Sequence, residues 1–134
     1  MRSDPPRKTT PSDREWEILD ALWELGSGTV AEVRRHVNEV RELDLAHTTV
    51  LTYLRALHAK GWVSRSQEGT AHRYAPTATR GQGRAEAIGA LLDALFDASP
   101  QVLVDSLVRD CHLYPRVVRR LRDVIDRRLE ELER

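Results

Sequence analysis

Cysteine is almost absent from this chain of 134 residues, in which Cys111 is the sole example. A lone cysteine cannot form a disulfide within the chain, which fits a reducing cytoplasm. Aromatic residues make up only 5% of the sequence, so Leu, Val and Ala must build the core, and this favours helices. The longest apolar stretch, residues 87–96, is interrupted by Asp93 and is shorter than the ~20 residues that span a bilayer. Because no segment resembles a signal peptide either, we expect a soluble, cytoplasmic protein.

Patterns that carry catalysis or bind metals are missing as well. No Ser or Cys nucleophile has a plausible base by sequence, and no glycine-rich phosphate loop occurs. The acidic residues are scattered over predicted helix surfaces. His47 and His58 lie near the apolar edge of a predicted helix, where packing is the more common role. We therefore expect no enzyme, no catalytic residues, no metal site and no cofactor.

Positive charge is unevenly distributed, although the formal net charge of the chain is zero. Between residues 46 and 80 the only acid is Glu68, while five side chains are cations. These cations are Arg55, Lys60, Arg65, Arg73 and Arg80. A local excess of this kind is typical of a surface that contacts nucleic acid, whatever the sum over the whole chain.

Two short helices are predicted after an N-terminal tail. Residues 1–11 contain three prolines and nothing that could be buried, which predicts a disordered segment. Ser12 and Glu15 match a capping box that begins the first helix. Thr29 and Glu32 match a second capping box, after a glycine-containing turn, and valines at helical spacing follow it. The chain therefore opens with a helix-turn-helix arrangement.

The third predicted helix has an exposed face of unusual composition. On a wheel of 100° per residue, an apolar arc holds Val50, Leu51, Leu54 and Leu57, and the opposite arc holds Thr48, Thr49, Thr52, Arg55, Ala56 and Ala59. Solvent-facing helices usually carry long charged side chains. A face this small indicates a surface that approaches something closely, such as the floor of a DNA major groove. Alternatively, the first two threonines only cap the helix.

A β-hairpin is predicted directly after the third helix, which Gly61 ends. Residues 62–66 and 71–75 favour strands, and the four residues 67–70 form the loop between them. Helix, helix, helix and hairpin is the order of a winged helix-turn-helix domain. We therefore predict a mainly α fold with a β wing, in which residues 12–76 form a DNA-binding domain. Residues 77–84 are small and polar, and are predicted to be a linker.

Residues 85–134 are predicted to form a helical dimerisation domain of three amphipathic helices, with Pro100 and Pro115 in the first turns of the last two. Three short helices cannot easily close a core of their own, so we expect their apolar stripes to meet those of a second copy. Folding back on the first domain is the alternative. The residues expected at the dimer interface are Ile88, Leu91, Leu92, Leu95, Leu103, Leu107, Val118, Leu121, Ile125 and Leu129.

Several short motifs also occur in a specific order and spacing. They are WEIL at residues 16–19, LW at 22–23, TVAEV at 29–33, TTVLT at 48–52, KGWV at 60–63 and HRYAP at 72–76. In these motifs the chain resembles the BlaI/MecI/CopY family of bacterial repressors (penicillinase repressor family), strongly over residues 12–76 and in layout beyond. The resemblance implies a homodimer that silences genes by binding a pseudo-palindromic DNA operator, with the third helix in the major groove and the wing on the flanking backbone.

The resemblance also assigns site residues, because Thr49 and Thr52 match the family's recognition positions. The predicted recognition-helix contacts are His47, Thr48, Thr49, Thr52 and Arg55, and those of the wing and backbone are Lys60, Arg65, Ser66, His72, Arg73 and Tyr74. His72 and Tyr74 alternate along a strand and could instead pack the wing. Family members commonly carry Arg where this chain has Ala56. One residue turns a side chain by about 100° around a helix, so the family's half-site preference is not carried over.

The signal that would end repression is also suggested by the resemblance. Relatives are inactivated when a membrane-bound sensor protease triggers cleavage in the C-terminal region, and residues 102–108 are where such a cut would be expected. Copper-responsive relatives carry Cys-x-Cys pairs, whereas this chain has only Cys111 beside His112, so a copper site is not expected. The alternatives to proteolysis as the signal are a small-molecule effector and a redox change at Cys111. The alternative to DNA binding as the function is a winged helix used for protein contact.

Overall fold

The computed structural model describes residues 9–134, which form six helices and three short strands. In chain order these are α1 (Asp13–Leu25), β1 (Gly28–Thr29), α2 (Val30–Arg41), α3 (His47–Ala59), β2 (Val63–Glu68), β3 (Ala71–Pro76), α4 (Arg80–Leu95), α5 (Pro100–Asp110) and α6 (Pro115–Leu132). They divide into two compact units, the first ending at Ala90 and the second running over Leu91–Arg134. The predicted fold class is confirmed. The predicted disordered tail, residues 1–11, lies outside the described residues except for 9–11.

The core of the first unit is built by α1, α2, α3 and the sheet. The apolar arc predicted for α3 is confirmed, since Val50, Leu54 and Leu57 are fully buried. They belong to one cluster with Ile18, Leu19, Ala21, Leu22, Val30, Val33, Val37, Trp62, Val63 and Tyr74. Leu25 and Val40 are exposed, because each lies in the last turn of its helix, where fewer elements surround it.

The predicted capping box is complete at α1 and half formed at α2. Ser12 N–H donates to Glu15 Oε1 at 2.9 Å, and Glu15 N–H donates to Ser12 Oγ at 3.3 Å. At α2, Glu32 N–H donates to Thr29 Oγ1 at 3.3 Å, but the Glu32 carboxylate accepts from Arg73. A local pattern cannot reveal this contact, because Arg73 lies 41 residues further along the chain.

The wing is a three-stranded antiparallel sheet in the order β1-β3-β2, not the two-stranded hairpin that the sequence predicted. Glu68 pairs with Ala71, so the hairpin turn contains two residues instead of four. Gly69, with φ +60°, supplies the left-handed conformation that such a tight turn needs. The additional strand, β1, has only two residues, which is too short to show the alternation that marks strands in a sequence.

The predicted linker over residues 77–84 is wrong in its second half, because α4 begins at Arg80. Thr79 N–H donates to Gln82 Oε1 at 2.8 Å, and Gln82 N–H donates to Thr79 Oγ1 at 3.1 Å. These two residues therefore cap the first turn of α4 reciprocally. The small polar residues and glycines of this segment suggested a flexible linker. Two of its residues, Thr79 and Gln82, instead form the cap with which the helix begins.

Three tryptophans hold the start of α4 within the first unit. Trp16 packs edge-on against Trp23 and Trp62, with ring centroids 5.7 and 5.6 Å away. Trp23 Nε1–H donates to Ala78 O at 2.9 Å. Gly83 of α4 approaches the Trp23 ring so closely that a Cβ there would lie 2.8 Å from Cη2 and 2.9 Å from Cζ2. The junction after the wing is therefore fixed by packing.

Replacing Gly83 by Ala is expected to lower the free energy of unfolding by about 1 kcal/mol, because overpacking against Trp23 costs about 1–3 kcal/mol and outweighs the ~1 kcal/mol gained in helix propensity. Gly81 is the matched control on the same helix, since nothing lies within 4 Å of a Cβ built there. Gly81→Ala should therefore stabilise the protein by about 1 kcal/mol. Urea unfolding measures both changes, and equal stabilisation by the two would contradict the contact with Trp23.

The second unit contains the end of α4 together with α5 and α6. Ser99 Oγ accepts from Val102 N–H at 3.2 Å and caps α5, with Pro100 in its first turn, and Pro115 opens α6, as the sequence predicted. No residue from 91 to 134 is buried in the single chain. Among the described residues no single helix is long and apolar enough to cross a membrane; only α4 and α5, a bent pair, reach that length and composition together.

Candidate nucleic-acid interface

The outer face of α3 has the composition that the sequence predicted. His47, Thr48, Thr52 and Arg55 are exposed, and Thr49 is half-buried beside them. The Thr52 hydroxyl donates to Thr48 O at 2.9 Å, so its hydrogen is already satisfied within the helix. This surface therefore combines short side chains with one guanidinium, and it can approach another molecule closely.

The start of α3 is fixed by side chains of α2. Its N-cap, Ala46, makes no side-chain capping bond, so the alternative in which the first two threonines cap the helix is wrong. Instead, Asn38 Oδ1 accepts from Leu45 N–H at 2.9 Å, while Asn38 Nδ2 and Arg34 Nε donate to Leu45 O at 3.2 and 2.8 Å. These bonds set where the chain enters α3. Nothing in the sequence indicated this role, because bonds from a side chain to a loop leave no periodic signal.

The wing supplies a second exposed surface next to α3. Arg65 and Ser66 of β2 and His72 of β3 are exposed. A groove of about 380 Å³ separates the hairpin from α3, and His47, Arg55 and His72 are among the side chains that line it. The fold thus brings predicted site residues of helix and wing to the two sides of one groove.

Tyr74 lies at the bottom of this groove, beneath the exposed surface, and its assignment to the DNA-binding residues is wrong. Its side chain is fully buried in the core cluster, because β3 runs from the exposed turn into the core, where α1 and α2 pack against it. The packing role that strand alternation suggested is confirmed for Tyr74, whereas His72 is exposed. The Tyr74 hydroxyl is buried without a hydrogen-bond partner among the described residues.

Tyr74→Phe is expected to stabilise the protein by about 1 kcal/mol, because an unsatisfied buried hydroxyl costs free energy and the ring is retained. DNA binding should remain unchanged, since no part of this side chain reaches the surface. Tyr74→Ala is the control for the ring itself and should cost about 3–5 kcal/mol. Thermal unfolding and DNA titration measure the two effects; a Phe variant that folds normally but loses DNA affinity would restore Tyr74 to the site.

Two predicted DNA-contacting cations are already bound by carboxylates. Lys60 Nζ lies 2.5 Å from Oε1 of Glu15, whose side chain on α1 is only 7% exposed. Arg73 binds Glu68 at 2.8 Å and Glu32 at 3.0 Å, and its hydrogen bonds, that with Glu68 foremost, raise the pKa of the guanidinium. Lys60 thus ties the end of α3 to α1, and Arg73 ties the wing to α2. These contacts argue against a phosphate-binding role for either side chain.

Fewer cations between residues 46 and 80 are therefore free to contact DNA phosphates than the sequence indicated. Arg80 is paired as well, with Asp20 at 3.4 Å. Most of the carboxylate partners lie on α1 and α2, outside the counted window, so a count along the chain could not include them. Of the five cations, only Arg55 and Arg65 have no carboxylate partner within the described part of the chain.

The residues predicted to mediate dimerisation all remain accessible in the single chain. Ile88, Leu91, Leu95, Ile125 and Leu129 are exposed, and Leu92, Leu103, Leu107, Val118 and Leu121 are half-buried. An apolar groove of about 400 Å³ lies between α5 and α6, and Val104, Val108 and Val124 line it although they were not predicted.

Three helices in helix-turn-helix order, followed by a β-hairpin, define the first unit as a winged-helix domain. Comparison with solved structures agrees. The fold is similar to that of a RosR complex from H. salinarum, with a TM-score of 0.51 and 21% identity, covering 74% of this chain and 89% of that one. At this level of identity the likeness concerns the fold alone.

Sequence comparison defines the family. The penicillinase repressor family model matches residues 11–127. The chain is 37% identical over 131 residues to the Transcriptional regulator BlaI of Mycobacterium tuberculosis, in two strains, covering 93% of this chain and 86% of that protein. The chain therefore belongs to the penicillinase repressor family, and the resemblance inferred from its motifs is confirmed.

Proposed function

We propose that this chain is a DNA-binding transcriptional repressor that acts as a homodimer on a pseudo-palindromic operator. The outer face of α3 is the main support, because it carries threonines and Arg55 across a groove from the wing. Arg55 has no carboxylate partner in the part of the chain that the structure describes. Long side chains would hold a helix away from base edges, whereas short ones let it enter the major groove. Its activity would be binding alone, without a catalytic step.

Binding would combine base contacts with phosphate contacts. The threonines of α3 and Arg55 would meet base edges, where a threonine methyl suits thymine and an arginine fork suits guanine. Each good contact is worth ~1–3 kcal/mol of discrimination between bases. Arg65, Ser66 and His72 of the wing would contact the flanking backbone, which gives affinity that falls with salt.

A mobility-shift experiment with duplex fragments of the genome that encodes the chain tests DNA binding directly. We expect a few fragments to be bound with a dissociation constant of about 10 nM or tighter, and the affinity to fall as salt is raised. If every duplex stays unbound at low ionic strength, the repressor role is refuted. The rival use of the fold, protein contact through α3 and the wing, would then become the better explanation.

Self-association would let two copies of α3 read the two halves of a symmetric operator. The apolar side chains that the second unit exposes support it; Leu95, for example, is 70% exposed. Analytical ultracentrifugation tests this part separately, with a dimer expected at micromolar concentration. A monomer there would contradict it.

An upstream signal must also end binding. A cut within residues 102–108 of α5, in response to a membrane-bound sensor protease, would detach α6 and part of the apolar surface from the DNA-binding unit. A small-molecule effector, or oxidation of the exposed Cys111, would instead release DNA from an intact chain. The chain length on a denaturing gel after induction therefore distinguishes proteolysis from the other two signals.

A further inference from the structure

The connection between α2 and α3, residues 42–46, contains no helix or strand. Glu42, which ends α2, has a left-handed backbone with φ 53°, a conformation that a residue other than glycine adopts only where other contacts hold it. Leu43 and Leu45 are half-buried, and the other three residues are exposed. Because packing covers so little of this segment, hydrogen bonds must supply much of what fixes its course.

Asn38, in the last turn of α2, bonds to both ends of the connection. Its main-chain oxygen accepts from Leu43 N–H at 3.1 Å and also from Glu42 N–H. Its side chain binds both backbone groups of Leu45, since Oδ1 accepts from the N–H at 2.9 Å and Nδ2 donates to the oxygen at 3.2 Å. One residue thus satisfies backbone groups from the start of the connection to its end.

Arg34 adds a third bond to Leu45. Its Nε donates to Leu45 O at 2.8 Å. Residues four apart lie on the same side of a helix, so Arg34 and Asn38 reach Leu45 together. Leu45 directly precedes Ala46, the N-cap of α3, which makes no side-chain capping bond. The start of α3 therefore depends on side chains of α2 and not on a cap of its own.

The two ends of the outer face of α3 are held by different contacts. Residues 47–49 form the first turn of the helix and lie within four residues of Leu45. Arg55 lies about two turns further on, beside Leu54 and Leu57, which are fully buried in the core. Loss of the bonds to Leu45 would therefore free the first turn and leave Arg55 in place.

We infer that Asn38 and Arg34 are positioning residues for base recognition. They would set the place of the first turn of α3 in the major groove without reading a base themselves. Placement matters because hydrogen bonds to base edges weaken steeply with distance and angle. The inference rests on the DNA binding proposed above, and it assigns part of the sequence specificity to two side chains of α2.

Affinities for operator and scrambled duplex test this role, at a temperature where all variants are folded. Asn38→Ala should weaken operator binding about tenfold or more, through base contacts that are no longer made, and change binding to scrambled duplex less than about twofold. Arg34→Ala should act in the same direction. Gly83→Ala is the control for stability, because Gly83 contacts Trp23 and Trp62 and not the connection. It should leave the ratio of the two affinities at the value of the parent.

A double-mutant cycle gives a readout that a loss of stability does not produce. Thr49→Ala should weaken operator binding in the parent but have almost no further effect in Asn38→Ala, because the first turn is already displaced there. Arg55→Ala should weaken binding by the same factor in both backgrounds. Additive effects of Asn38→Ala and Thr49→Ala overturn the inference, and so does equally strong coupling of Asn38 to Arg55.

Amide hydrogen exchange of Leu45 in the free protein links the bonds to recognition. The Leu45 N–H should exchange about tenfold faster in Asn38→Ala than in the parent, because its acceptor is removed. Unchanged exchange overturns the inference. So does an unchanged ratio of operator to scrambled affinity in both α2 variants while the parent binds its operator, and in that case the repressor role survives. A parent protein that binds no duplex defeats both.

Discussion

Arg55→Ala is expected to weaken binding to the operator about 10- to 100-fold while changing the affinity for unrelated duplex DNA much less. A guanidinium fork that reads a guanine contributes ~1–3 kcal/mol to base discrimination, and unrelated sequences do not offer that contact at the right position. Arg55 is suited to this role because it is exposed on α3 and has no carboxylate partner among the described residues. Titrations of operator and scrambled duplex at two salt concentrations measure both affinities.

Two further variants distinguish base reading from simple charge. Arg65→Ala should weaken both duplexes alike and reduce the salt slope by about one, as expected for a phosphate contact. Arg109→Ala removes another exposed cation, on α5 and paired with Asp105, and should leave both affinities unchanged. If Arg55→Ala instead lowers the two affinities by the same factor, Arg55 is a backbone contact and specificity must come from the threonines.

Lys60→Met is expected to lower the free energy of unfolding by about 1–3 kcal/mol at neutral pH, since it leaves the buried carboxylate of Glu15 without its counter-charge. Burial by itself raises the pKa of Glu15. The hydrogen bonds from Lys60 and Ser12 and the charge of Lys60 outweigh burial, so the pKa lies below its ordinary value. Urea unfolding at pH 7 measures the loss. Glu15→Gln should rescue most of it, because Gln can keep the capping bond without a charge.

The pH dependence follows from the same pair. Because the pKa of Glu15 is lower in the folded than in the unfolded chain, the pair stabilises the protein above about pH 4.3 and the contribution is lost as pH falls through the folded pKa. In Lys60→Met the bond and charge of Lys60 are lost while the hydrogen bonds with Ser12 remain, so burial weighs more and the pKa of Glu15 is higher than in the parent. The difference between parent and variant should therefore shrink from pH 7 to pH 4. A difference that stays constant over this range would contradict the ion pair.

Lys60→Met also tests the role that the sequence assigned to this lysine. At a temperature where both proteins are folded, the salt slope of DNA binding should equal that of the parent, because Glu15 already neutralises the ammonium group. A slope reduced by about one would show that Lys60 leaves Glu15 to bind a phosphate.

Most of the fold follows from local signals that lie within one or two turns of chain. Ser12 and Glu15 begin α1, Pro115 begins α6, and the apolar arc of α3 is buried as its periodicity predicted. Two elements that depend on only two residues each were not predicted. The strand β1 is too short to show alternation. The residues that cap α4, Thr79 and Gln82, lie in a segment whose glycines and small polar residues suggested a linker.

The sequence by itself determined which faces of the helices are apolar, where most helices begin, the family and the small outer face of α3, because each of these depends on residue types at fixed local spacing. Tertiary structure decided which polar residues remain free. Lys60 and Arg73 are paired with carboxylates on α1, α2 and the wing, and Tyr74 is buried in the core cluster. Arg55 and Arg65 have no carboxylate partner among the described residues. Charge neutralisation and burial act through space between distant parts of the chain, so no count along the sequence can reveal them.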